Sequence, residues 1–225
     1  MSDVRQIVPE QFHQPLVSAR VPVPMPQAGE VLLRVDMTVI CGSDNHTWRG
    51  ESPGGFRWSW VMKAWVQSNS WGPTWTGTVG DTSAQGGSGL LAPLRPCHRC
   101  YYCTVPSDFS SCEARATYGE VGRMTWNSYA ERVLLSDGMA FCRTPDDTPS
   151  LPVIAFGCAM PTVLQATDRL GGFQRLDIVV IQGSGPAGLA ATAVANLGGV
   201  DCVIVIDRFP ERLALARRRG VRRRS

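Results

Sequence analysis

Asp177-Ile178-Val179-Val180-Ile181-Gln182-Gly183-Ser184-Gly185-Pro186-Ala187-Gly188 decides how the second half of this chain is read. The apolar run from Asp177 to Ile181 has the length and β-branched content of a buried strand, and the glycines after it force a turn. A helix is expected from about Ala187 to Leu197, a second strand over Cys202 to Ile206, and a second helix from Pro210 to about Arg218. That order is one βαβα unit. Within it Gly183 permits the tight turn, Gly185 lets the backbone approach a pyrophosphate, and Gly188 lets helix and strand pack closely. Asp207 closes the second strand 24 residues after Gly183. There its carboxylate would accept hydrogen bonds from adenosine ribose hydroxyls and favour NAD over NADP. A bare G-x-G-x-x-G often marks only a turn; the strand before it and the acid after it carry the cofactor reading.

Upstream, the chemistry is cysteine. Cys97, Cys100, Cys103 and Cys112 fall within sixteen residues, close enough in sequence to close a tetrahedral thiolate shell around one zinc. Such a shell leaves no position for a substrate, so that zinc would hold a loop together; without metal the four are free or oxidised thiols. Residues 30 to 40 alternate as a half-buried strand and end at Cys41-Gly42, which places Cys41 where a strand opens into a turn. The stretch Cys41-Gly42-Ser43-Asp44-Asn45-His46 follows, and further on comes Phe156-Gly157-Cys158-Ala159-Met160-Pro161-Thr162. Taken singly, Cys41, Cys158, Cys142 and Cys202 read as small buried apolar residues, His13 as a surface residue and His98 as part of the cysteine knuckle.

Together these motifs resemble the zinc-dependent medium-chain alcohol dehydrogenases, a family that includes alcohol, polyol and threonine dehydrogenases. The family order is a cysteine ligand in C-G-[ST]-D-x-x-H, a G-H-E motif, a four-cysteine lobe, a second cysteine ligand, then a Rossmann domain. The resemblance implies an α/β chain: a β-rich GroES-like catalytic domain over residues 1–165 with its structural-zinc lobe at 97–112, and a partial, half-length Rossmann NAD-binding domain over 166–225. It also implies that Cys41 and Cys158 are ligands of a catalytic zinc, Ser43 the hydroxyl that passes on the substrate proton, His46 the next relay member, and Thr162 a neighbour of the nicotinamide. The C-G-S-D-x-H here is one residue shorter than the family spacing, which loosens the assignment of His46. The activity implied is hydride transfer between a small-molecule alcohol or polyol and NAD, with zinc as the Lewis acid.

Residues 54–95 depart from this pattern. No histidine occurs between His46 and His98, so the G-H-E ligand is absent; five of the seven tryptophans crowd between Trp58 and Trp75, and neither helical nor strand periodicity organises the segment. A reading-frame displacement accounts for it. Taking the third base of each codon with the first two of the next, the Trp60/Val61 junction must encode glycine and Met62/Lys63 glutamate. Trp65/Val66 and Trp71/Gly72 must both give glycine, and Trp75/Thr76 aspartate. Val61/Met62 gives histidine if the valine codon ends in C. The shifted text thus restores G-H-E with its following glycines, whereas the other frame meets a stop at Met62-Lys63. The six arginines within Arg217 to Arg224 read as a second displacement, with a genuine basic tail as the alternative. As written, the chain is expected to be inactive. The alternative to a dehydrogenase is a non-enzymatic zinc-binding remnant or pseudogene product.

Composition bounds the rest. With 225 residues, 44% of them hydrophobic, the chain can bury one good core or two small ones. The net charge of +3 is small, and 21 of its 22 basic residues are arginine, with Lys63 the single lysine, a bias that speaks of codon usage rather than nucleic acid. No apolar run reaches the roughly 20 residues of a membrane span, and the N-terminus lacks a signal pattern. The expected compartment is the cytoplasm, where the eight cysteines are ligands or thiols rather than disulfides.

Overall fold

Val31, Leu32 and Leu33 are consecutive and all buried, so the strand they open is covered on both faces at its start and becomes the centre of a sheet. The computed structural model describes residues 3–8, 10–23, 25–51, 64–70, 88–91, 94–106, 108–114, 116–117, 128–135 and 141–218. The chain divides into two compact units, Met1–Ile154 and Ala155–Ser225.

In the first unit, β1 (Asp3–Val8) and β2 (Val17–Pro22) form an antiparallel hairpin. Five further strands build an antiparallel sheet: β3 (Val31–Thr38), β4 (Ala64–Ser70), β5 (Ser88–Leu91), β8 (Arg132–Leu135) and β9 (Phe141–Arg143), in the order β8-β3-β4-β5-β9. A short pair, β6 (Leu94–Arg95) with β7 (Ala116–Thr117), frames the cysteine lobe, which holds α2 (Tyr101–Thr104) and a 3-10 turn at Phe109–Ser111. The core joins Val31, Leu32 and Leu33 to Leu91, Val133, Leu134 and Leu135, with Val21 and Val23 beside it. Each such side chain stabilises the fold by about 1.5–3 kcal/mol on burial. Between β3 and β4, α1 (Gly42–Trp48) begins at Cys41.

Strands β4 and β5 correct the expectation that nothing regular organises residues 54–95. The backbone of β3 offers a row of hydrogen-bonding groups that a neighbour must satisfy, and that demand recruits Ala64–Ser70 whatever the side-chain pattern. The register is broken between Leu32 and Leu33 and between Val35 and Met37, as expected of a strand whose alternation does not dictate the pairing. The remainder of 54–95 apart from residues 88–91 and 94–95, and the arginine run beyond Arg218, lie outside the described residues.

In the second unit, α4 (Ala159–Arg169), which follows α3 (Ser150–Phe156), packs along α5 (Pro186–Leu197). The expected domain boundary at 165 falls inside a helix, and the division lies about ten residues earlier, because α4 packs along α5. The expected βαβα order is present: β10 (Ile178–Gln182), α5, β11 (Cys202–Ile206) and α6 (Pro210–Arg218), with β10 and β11 parallel in direct register. Ile181, Val203 and Ala195 form its core, while Ile178, Val180, Ile204 and Ile206 line the opposite, exposed face of the strand pair. Among the described residues no single helix is long and apolar enough to cross a membrane.

Candidate functional site

Three groups of residues carry chemistry, and the tightest is the cysteine lobe. The Sγ atoms of Cys97, Cys100, Cys103 and Cys112 all lie within 4.8 Å of one another. Cys97 and Cys103 are 3.9 Å apart and Cys100 and Cys103 3.6 Å, bracketing the roughly 3.8 Å edge of a tetrahedron with Zn–S bonds of about 2.3 Å. Backbone N–H groups already point at the sulfurs, with Cys97 N donating to Cys112 Sγ at 3.3 Å and Cys100 N to Cys97 Sγ at 3.4 Å. N–H donation from Arg99, then from Cys100, holds the Cys97 thiol down to about 6, and that of Glu113 lowers Cys100. Burial pushes Cys103 up to about 12. Four thiolates here need a divalent cation to offset that burial, and the donor set fits zinc. Among the described residues this is the one group of three or more His, Cys, Asp or Glu placed to hold an ion. His98 sits in the knuckle as expected, in the left-handed region at φ 55°, with its ring edge-on to Phe109.

The second group is the glycine loop between β10 and α5. Gly183 has φ +92°, a conformation that a side chain strains. At Gly188 an added Cβ would meet Gly183 O at 1.8 Å, so the absence of a side chain is what lets the helix seat on the strand. At Gly185, the N-cap of α5, an added Cβ would meet nothing within 4 Å, which leaves room for a phosphate before the helix N-terminus. Asp207 stands at the end of β11 and reaches the loop: Ser184 N and Ser184 Oγ both donate to its Oδ2, at 2.6 and 2.9 Å, and Phe209 N to its Oδ1 at 2.9 Å. These donors, the Ser184 N–H first, hold the Asp207 carboxyl down to about 2. The loop and the acid thus fit an adenosine diphosphate, with the carboxylate ionised at every physiological pH.

The third group surrounds Cys41. The turn expected where the strand opens is the first turn of a helix: Cys41 caps α1, and Asp44 Oδ2, in that turn, accepts the Cys41 N–H at 2.5 Å. Asp44 is buried and also accepts the Tyr129 hydroxyl at 3.2 Å, from a segment 85 residues away. Burial, and then the Asp44 and Cys41 charges, raise the Tyr129 phenol above its ordinary value, so it remains a donor. The sequence reading missed Asp44, Tyr129 and Ser184. An acid three residues past Cys41 is a capping signal that points to the first; nothing local points to Tyr129. Among the described residues Ser43 Oγ is buried with no hydrogen-bond partner. His46 is exposed in the last turn of α1, its Nδ1 2.6 Å from Glu51 Oε2, a contact that lowers the Glu51 carboxyl. Beside α1 lies a concavity of about 420 Å³ lined by His13, Leu16, Ile40, Asp44, Trp48 and Tyr129.

Cys158 caps α4 in the second unit, and Thr162 Oγ1, one turn on, donates to the Cys158 carbonyl at 2.7 Å. Cys41 and Cys158 belong to different units, so their joint duty rests on the family pattern alone. Cys142 corrects the sequence reading: it is exposed on β9, an edge strand among the described residues, whereas Cys202 is half-buried within β11.

No family model matches the chain. Curated relatives do. It is 38% identical over 204 residues to a 5-exo-hydroxycamphor dehydrogenase of Pseudomonas putida, a match covering 89% of the chain and 56% of the relative. It is 32% identical over 231 residues to an L-threonine 3-dehydrogenase of Streptomyces coelicolor, covering 96% of the chain and 61% of the relative. Among solved structures, an alcohol dehydrogenase of Thermotoga maritima superposes with a TM-score of 0.82 at 25% identity, covering 98% of the chain and 62% of that structure. An Escherichia coli alcohol dehydrogenase complexed with NADH gives 0.79 at 26%, covering 98% and 61%. The chain thus spans less than two thirds of the length of these proteins.

Proposed function

We propose that this chain belongs to the zinc-dependent medium-chain alcohol dehydrogenases and derives from an oxidoreductase moving hydride between an alcohol or polyol and NAD. The observation that carries the reading is the glycine loop locked to Asp207, because it fits the adenosine half of a dinucleotide on this chain's own residues. In the second unit Gly183 and Gly188 shape the cofactor loop by its turn and its close packing, Gly185 admits the pyrophosphate, Asp207 takes the ribose, and Thr162 borders the nicotinamide. We read that unit as one half of a Rossmann domain.

Zinc enters the reading twice. Cys97, Cys100, Cys103 and Cys112 would hold a structural ion. Cys41 and Cys158 are the family's catalytic pair, with Ser43 and His46 as the path by which the substrate proton leaves. When bound there, zinc supplies Lewis-acid polarisation of the alcohol oxygen. Its third ligand, the histidine of G-H-E, has no counterpart in this sequence, and two thiolates alone leave the ion weakly held. That absence favours a second reading of the chain as written: a protein with one structural zinc and no turnover.

Resequencing the coding DNA across Gly50 to Ser225 tests both readings. Single-base errors whose repair yields G-H-E, followed by NAD reduction with a panel of alcohols and polyols, would establish the enzyme. If the printed sequence stands, purified protein should carry at most one zinc per chain and reduce no NAD. Turnover by the chain as printed would refute the second reading.

A further inference from the structure

We propose that Ser184 is the positioning residue that sets cofactor choice at Asp207, an inference resting on the dinucleotide reading of this loop. Ser184 is 1% exposed, and its hydroxyl reaches Asp207 Oδ2. A carboxylate offers about four lone-pair sites. Three are taken: two on Oδ2 by Ser184 N and Oγ, and one on Oδ1 by Phe209 N. Oδ2 is saturated. Among the described residues Oδ1 alone has capacity left, and the two oxygens do not exchange places by rotation, since each is held by a different segment.

The carboxylate therefore presents one negatively charged acceptor in a fixed direction. A ribose hydroxyl satisfies it, whereas a 2′-phosphate brings like charge to an oxygen that cannot turn away. Cations are close at hand to reverse that preference. The guanidinium carbons of Arg208 and Arg212 each lie 4.6 Å from the centroid of the Phe209 ring, on the residue whose N–H holds Oδ1. Removing the Ser184 hydroxyl leaves Oδ2 with the Ser184 backbone N–H as its remaining donor, which holds the carboxylate less firmly and lets these arginines meet a phosphate. Ser184 also lies between Gly183 and Gly185, so its two hydrogen bonds join the phosphate side of the site to its ribose side before any ligand arrives.

The experiment is isothermal titration of the full chain with ADP-ribose and with its 2′-phosphate, for the unaltered protein, Ser184→Ala and Asp207→Asn. The unaltered chain should favour ADP-ribose by at least about tenfold. Ser184→Ala should lose about tenfold in ADP-ribose affinity, the worth of one hydrogen bond to a charged group, with little loss for the phosphorylated ligand. The preference then collapses towards unity. Equal loss for both ligands, or no loss for either, overturns the inference and leaves the dinucleotide reading intact. Binding of neither ligand by the unaltered chain overturns both. Should Ser184→Ala fail to fold, Asp207→Asn, which keeps the volume and removes the charge, must show the same collapse; retained preference there refutes the proposal.

Discussion

Gly188→Ala is the substitution whose outcome the structure fixes most tightly. The added Cβ would lie 1.8 Å from Gly183 O and 2.8 Å from Gly183 C, both backbone atoms that no rotamer change can move aside. Ordinary carbon–oxygen contact needs somewhat over 3 Å, so α5 must lift from β10 by more than an ångström or the glycine loop must be remade. Overpacking of a closed interface costs about 1–3 kcal/mol, and a clash between two backbones belongs at the upper end. Tryptophan fluorescence cannot follow it, because the second unit contains no tryptophan. Hydrogen exchange across Ile178–Leu197 can: a loss of about 2 kcal/mol speeds exchange of the most protected amides about thirtyfold. Gly185→Ala is the internal control, since its Cβ enters open space. It should leave exchange unchanged and weaken ADP-ribose, because the methyl occupies the phosphate's approach. Unaltered exchange in Gly188→Ala would refute the close-packing argument, and with it the reason for reading the third glycine as structural.

Three further outcomes are expected. The purified chain should retain one zinc through gel filtration and Cys103→Ser should lose it, as read by a colorimetric zinc assay; retention by the variant would mean that the lobe holds no ion through this residue. Asp207 has a folded-state pKa of about 2 against an ordinary value near 4. Its contribution to stability is therefore complete above about pH 4 and lost as pH falls towards 2, so exchange protection of the second unit should drop in that window and do so less in Asp207→Asn. Tyr129→Phe removes the hydroxyl from Asp44 while leaving the Cys41 N–H in place; denaturant unfolding followed by tryptophan emission should show a loss of about 0.5–1.5 kcal/mol, and no change would make that hydrogen bond idle.

Strand, loop and helix in the second unit were legible because each is specified locally. The run Ile178–Gln182 is β-branched and apolar, Pro186 opens α5 at its first turn, and Asp207 follows a strand of the same character. What escaped the sequence is what depends on distant partners. Ser184 in a glycine loop reads as a spacer until Asp207, 23 residues away, is seen accepting from it twice. Tyr129 reads as an ordinary aromatic until Asp44 is found across the unit. The strand Ala64–Ser70 was invisible because its pairing is imposed by the backbone of β3 rather than by any alternation of its own. Cys142 was misread for a related reason: residue type does not report which face of a strand is covered, and on β9 its side chain is exposed.

The two zinc sites implied by the family differ in how they would withstand a damaged middle. The four cysteines of the lobe come from sixteen consecutive residues, framed by β6 and β7, and the loops to be closed between ligands are short. Residues 54–93 contain neither cysteine nor histidine, so a displaced reading frame there leaves the four-cysteine donor set untouched. A catalytic ion drawing on Cys41, a histidine from the middle segment and Cys158 depends on three separate stretches of chain, and loss of one ligand removes a third of its protein shell. The glycine loop stands with the lobe in this respect, for Gly183 to Asp207 is a single local unit. A chain that keeps its local sites and loses its assembled one should therefore bind one zinc and an adenosine diphosphate while transferring no hydride. That combination separates descent from a dehydrogenase from dehydrogenase activity.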